Sequence, residues 1–272
     1  MNVQSKQALK RLIARVFRLY CTARVRNLSV ILNYHSIHPA QESSTRPEDF
    51  LTQMRYLQGN FSVVSLAEFL KARMNDKDLP PRTALITFDD GYKNNYDYAF
   101  PVLQTLGLPA TIFLATGFVN GEIDITEGWK DYRGMDHLNW TQVKEMGEGG
   151  VSFGAHSHSH PILSKLSLCE AEKEILHSKE MLEESLGQEV RHFAYPLGQP
   201  CTFNASIINL LKKHGFDLAC STIWGAENNN THMFALRRVR IDACDSNADF
   251  VSKINGYWDF VRQFQVLRGI YL

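Results

Sequence analysis

From residue 28 to residue 241 short strand-like runs alternate with longer stretches whose hydrophobic residues fall at helical spacing. The strand-like runs are 28–34, "FSVVS", "ALITF", "ATIFLAT", "VSFGA", "RHFAYP", "FDLACST" and "LRRVRI". Helical patterns fall at 46–58, at 65–75 with Ser65 as the cap, and at about 93–106. Further ones fall at 139–150, 168–187 (the longest of these) and 206–215. Short strands alternating with helices of this length predict an α/β chain with a mainly parallel sheet covered by helices. About eight strands suit a closed barrel as well as an open sheet. The unusual residues sit at strand ends: Tyr34-His35, Asp89-Asp90, His156 to His160, and Tyr195 to Gly198. In α/β barrels the chemistry gathers at the C-terminal ends of the strands, so this placement favours a barrel with one active face. No repeat, low-complexity tract or Pro/Gly-rich linker divides the chain. We expect residues 28–272 to form a single domain preceded by a basic segment, 1–27. Residues 119–139, polar and irregular, read as a surface insertion.

The composition is ordinary for a globular protein: 272 residues, 44% hydrophobic and 21% charged. Lys+Arg and Asp+Glu both total 29, which argues against a nucleic-acid binder. Five scattered cysteines without a CxxC argue against both a disulfide framework and a thiolate metal site.

Two motifs carry the chemistry. The strand "ALITF" runs into Asp89 and Asp90, and adjacent carboxylates repel unless something positive offsets them. "GAHSHSHP" places His156, His158 and His160 directly after another strand. On a helix or in an extended loop, His156 and His160 share a face and can meet one cation. Two imidazoles and a carboxylate leave ligand positions open on a divalent metal, as in catalytic sites. One Asp then binds the cation, and the other is free to act as a general base toward water.

"TFDDG" (87–91), "HSHSH" followed by Pro161, and "FAYPLG" (193–198), in that order, resemble the polysaccharide deacetylase family, also called the NodB-homology domain or carbohydrate esterase family 4. The resemblance covers about 28–242 and implies a distorted barrel of seven or eight strands. It also implies a divalent metal, usually zinc, and hydrolysis of N-acetyl groups on amino sugars. Carried over by position, Asp89 is the general base, Asp90, His156 and His160 are the metal ligands, and Leu197 offers its backbone N–H to the oxyanion. His158 falls at a variable position between the ligands. Two departures stand out. The family commonly has an Arg two residues before Pro196, where this chain has Ala194, leaving Arg237 or Arg238 to take over or to pair instead with Asp242. The family's general acid is usually a late His, but no His follows His232. The strand-end His35 in "ILNYHSI" resembles the acid of a permuted branch whose acid-bearing strand comes first. His38 has a weaker claim. Trp129, Tyr132, Trp140 and Trp224 are candidates for stacking on sugar rings.

The implied function is a metal-dependent hydrolase removing acetyl groups from N-acetylated amino sugars of a polysaccharide, an oligosaccharide or a lipid-linked precursor. The rivals are a metal-dependent amide or imide hydrolase acting on a small nitrogen compound, and a catalytically weak carbohydrate-binding protein. Before Glu42 there is no acidic residue, whereas Lys6, Lys10, Arg11, Arg15, Arg18, Arg24 and Arg26 interleave with apolar residues. Residues 4–20 therefore read either as a helix packed on the domain or as a peripheral contact with an anionic membrane. The segment lacks the features of a signal peptide, and the expected location is cytoplasmic, at the inner membrane face.

Overall fold

The computed structural model describes residues 3–21, 29–123, 135–227 and 230–267. Eight strands are all parallel: β1 Val30–Tyr34, β2 Ser62–Val63, β3 Thr83–Phe88, β4 Ala110–Leu114, β5 Val151–Ala155, β6 His192–Ala194, β7 Leu218–Trp224 and β8 Leu236–Arg240. The hydrogen-bonded order is β1-β8-β7-β6-β5-β4-β3-β2, with a further β1–β3 pairing. That pairing closes a seven-strand barrel. β1 runs along β3 from Val30↔Ala84 to Tyr34↔Phe88, while β2 meets β3 at Thr83 and Ala84 and β4 meets it at Thr87 and Phe88. Since a strand has two edges, β2 fills the lower part of the edge that β4 leaves free.

First and last strands are neighbours in this barrel, as a permuted order requires. Helices cover the outside: α1 Val3–Cys21, α2 Pro47–Asn60, α3 Leu66–Met74, α4 Phe100–Leu106, α5 Trp140–Glu148, α6 Leu168–Leu186, α7 Ala205–Lys213, α8 Asn247–Ile254 and α9 Phe260–Leu267. Their starts follow the sequence. Ser65, Asn139, Ser167 and Ser246 each form a reciprocal capping box with the residue three positions on. α6 ends on Gly187, which takes a left-handed φ of 66°.

Strand parity divides the core. Even residues of β1 and β3 (Leu32, Tyr34, Ala84, Ile86, Phe88) face the helices. Odd ones (Ile31, Leu85) join Phe113, Leu218, Cys220 and Leu236 in a separate cluster inside the barrel. Two residues further along the same strands, the interior positions become Asn33, Thr87 and Arg238, all buried. The floor of the barrel is thus apolar and the next layer polar, which sets the level at which charged chemistry begins.

α1 was open to two readings, and the structure shows a helix docked on one side. Arg11 pairs with Asp249 of α8 (Nη2–Oδ2 2.6 Å), Gln7 Nε2 donates to Asp245 (3.3 Å), and Ala14 is buried. Helices α8 and α9 go beyond the sequence expectation, which ended at β8. Trp129 and Tyr132 of the expected insertion lie outside the described residues. Within the same stretch, residues 135–138 dock on the loop after β3, where Leu138 N–H donates to Gly91 O (2.9 Å).

Candidate active site

β3 delivers Asp89 and Asp90 to the top of the barrel, both buried. The chain then turns through two left-handed residues, Asp90 (φ 71°) and Gly91 (φ 76°). A Cβ on Gly91 would lie 2.3 Å from Leu114 Cδ2, so glycine is needed there for both reasons. Gly91→Ala is expected to lower stability by about 2–4 kcal/mol, read by urea unfolding.

Arg238 answers the question left by Ala194. Its guanidinium faces Asp89 two-pronged, Nη1 to Oδ1 and Nη2 to Oδ2, both at 2.7 Å, and its side chain is 0% exposed. Arg238 Nε donates to Ser221 O (2.8 Å), and Asn33 Nδ2 donates to Asp89 Oδ2 (2.6 Å). Burial, the largest single influence, would raise the Asp89 carboxyl; the charge and hydrogen bonds of Arg238, together with the nearby His156 and His35, outweigh it and hold Asp89 below its ordinary value. Asp89 is therefore ionised and fixed in orientation. Arg237, of the opposite parity, leaves the barrel, its backbone N–H donating to Glu227. Asp242 pairs with neither candidate but with Arg240 (2.8 Å) and the buried Lys253 (2.9 Å). Asn33 was not singled out from the sequence, although its parity with His35 pointed inward.

The second Asp faces the histidines. Asp90 Oδ1 lies 3.4 Å from His156 Nε2 and 3.5 Å from His160 Nε2, and it is buried with no hydrogen-bond partner among the described residues. Two ligand atoms each about 2.0–2.1 Å from a tetrahedral zinc stand about 3.4 Å apart, so these three atoms fit one cation. His156 Nδ1 sits 2.7 Å from Ala194 O. A carbonyl only accepts, so Nδ1 carries the proton and the Nε2 lone pair points at the site. Burial pushes His160 down to about 4, leaving it in the neutral form a metal needs. Ser157 Oγ accepts from the His160 N–H (3.1 Å) and holds this residue at a φ of 59°. His158 turns away, to Thr116 (3.1 Å) and the ring of His177 (4.3 Å).

One cavity of about 520 Å³ brings Asp89, Asp90, His156 and His160 together with His35 and Leu197. His35 follows β1, next to β3, so strand order places it beside the Asp pair. Burial lowers its pKa, against the pull of Asp90 and Asp89. Leu197 is left-handed (φ 61°), and its carbonyl accepts from Thr222 Oγ1 (2.7 Å). Among the described residues no hydrogen bond uses its N–H. Trp224 also lines the cavity, whereas Trp140 packs on the outer core. His38 stays outside, its Nδ1 accepting from the Ala40 N–H.

The sequence profile described as "Polysaccharide deacetylase" matches residues 76–219, which span both the paired aspartates and the histidine motif. This chain belongs to the polysaccharide deacetylase family. A member from Bacillus subtilis (strain 168), YxkH, is 31% identical over 221 residues, 81% of this chain and 74% of that protein. The poly-beta-1,6-N-acetyl-D-glucosamine N-deacetylase of Staphylococcus epidermidis is 28% identical over 216 residues, 70% of this chain and 71% of that one. In fold, the Streptococcus pyogenes deacetylase PplD, solved with acetate, superposes with a TM-score of 0.72 at 24% identity, covering 84% of this chain and 99% of that chain.

Proposed function

We propose that the protein is a metal-dependent N-deacetylase of N-acetylated amino sugars in an oligomer, a polymer or a lipid-linked precursor. The observation that carries this reading is the Asp pair split between two environments. Asp89 is clamped by Arg238, and Asp90 faces two imidazoles. Family membership and the relative named as a poly-N-acetylglucosamine deacetylase support it.

A divalent cation held by Asp90, His156 and His160 supplies Lewis acidity toward the acetyl carbonyl and water, and the donor set favours zinc. The chain's own residues do the rest. Asp89, ionised, accepts the proton of the attacking water, and Arg238 and Asn33 keep its oxygens in place. The Leu197 N–H donates to the oxyanion that forms as water adds to the acetyl carbon. His35, once it has taken up a proton against the effect of burial, gives that proton to the sugar nitrogen as the C–N bond breaks, so acetate and a free amine leave. His35→Ala is expected to lower kcat by roughly 10²-fold with metal content and KM little changed, measured by steady-state kinetics and elemental analysis.

The test is a matched assay of acetate and amine on N-acetylglucosamine oligomers. N-deacetylation gives them in equal amounts. Acetate without amine would mark an O-acetyl esterase, and neither product would remove the amino-sugar substrate.

A further inference from the structure

We propose that α1 seats the protein on an anionic lipid surface, with the catalytic cavity beside that surface. The docking is independent of the reaction. Its consequence, that the substrate is an N-acetyl sugar carried on or near the lipid, rests on the deacetylase reading above.

α1 does not roll freely. The Arg11–Asp249 pair (2.6 Å), the Gln7–Asp245 hydrogen bond (3.3 Å) and buried Ala14 fix which side of it meets the domain. The side left outside is apolar. Leu9 is 48% exposed, Leu12 59% and Val16 52%, at spacings of three and four that make one stripe. Among the described residues only Met74 and Leu168 are large hydrophobics of similar exposure, and neither belongs to such a stripe.

The flank of the stripe selects the occupant. Arg15 is exposed, Arg11 is half in solvent beside its partner Asp249, and no acidic residue precedes Glu42, so the helix's unbalanced charge is positive. A second copy packed on the stripe would bring together two helices of the same positive sign, which is repulsive. Anionic headgroups complement the same charges, and acyl chains accept the stripe without demanding a matching shape. No helix among the described residues is long and apolar enough to cross a membrane, so the helix lies on the surface. The same helix rims the cavity, whose wall includes Lys10. Docking through α1 therefore holds the cavity within about one helix diameter of the lipid surface, roughly 10–12 Å.

The experiment is flotation of the full chain with phosphatidylglycerol–phosphatidylcholine vesicles and with pure phosphatidylcholine vesicles, beside the double variant Leu9→Glu/Leu12→Glu. Acetate release from soluble N-acetylglucosamine oligomers is measured on both proteins. The proposal expects the wild type to bind the anionic vesicles, less so at high salt and on neutral lipid. The double variant should lose affinity by about tenfold or more with its release of acetate unchanged. Failure of the wild type to bind, or equal binding by the variant, overturns it. So does a wild-type dimer that the variant dissolves without any vesicle binding, which would give the stripe to a second copy. Vesicle binding lost in the variant, with no acetate from either protein, supports the docking and overturns the deacetylase reading instead.

Discussion

Asp89→Asn is expected to lower acetate release by roughly 10²–10⁴-fold while the protein still takes up its cation. The proposed ligands Asp90, His156 and His160 are untouched, and the amide keeps the shape of the carboxylate. What disappears is the group that accepts the proton of water. The substitution also removes the negative charge facing Arg238, whose side chain is 0% exposed. Asparagine keeps one oxygen for the guanidinium but no charge, so a stability loss of about 3 kcal/mol should accompany the loss of activity. Paired measurements of metal content, kcat and urea unfolding separate these effects. Loss of metal along with activity would mean that Asp89 is a ligand rather than a base.

Arg238→Met has the larger effect on folding. It leaves the buried Asp89 facing only Asn33, and breaking a buried pair from one side costs about 3–5 kcal/mol. The pH dependence has a definite sign. In the native protein Asp89 sits below its ordinary value, so the pair stabilises fully above the unfolded carboxylate value of about 3.9 and loses this as pH falls through the lower native value. Without the guanidinium, burial loses its main opponent, with only His156, His35 and Asn33 left to offset it, and Asp89 rises. The acid limb of kcat/KM should therefore move to higher pH, since the base works only when ionised. Arg237→Met, one residue earlier and on the other face of β8, should shift neither quantity comparably. An acid limb that stays in place in Arg238→Met would show that Asp89 is not the titrating base.

The barrel was legible because β1, β3 and β4 are buried on both faces and read as mostly apolar runs, set off by capped helices such as 65–75 and 168–187. The grouping of Asp90, His156 and His160, which the structure brings within reach of one cation, was legible for a chemical reason, since a cation offsets adjacent carboxylates and suits clustered histidines at strand ends. The helices after β8 were harder to read. Only the Ser246–Asp249 capping box announces α8, and the side chains it buries include Asp249 and Lys253, which break the apolar signal. The partner of Asp89 stayed undecided between Arg237 and Arg238 because both follow Leu236 in "LRRVRI". Parity was the missing argument: Leu236 points into the barrel, so Arg238 does too and Arg237 does not. The same rule, counted from His35, picks out Asn33. Partners that meet across strands 149 positions apart in sequence, as Arg238 and Asp89 do, leave no trace in local spacing.

The central claim is that Asp90, His156 and His160 hold the cation on which acetate release depends. Its most direct test is to strip the protein with a chelator and return zinc in steps, following bound metal and acetate release from N-acetylglucosamine oligomers together. Release should vanish on stripping and return in proportion to metal bound, reaching its plateau at one equivalent in the wild type and failing to return in His160→Ala. Undiminished release from the metal-free protein, or full recovery in His160→Ala, would contradict it.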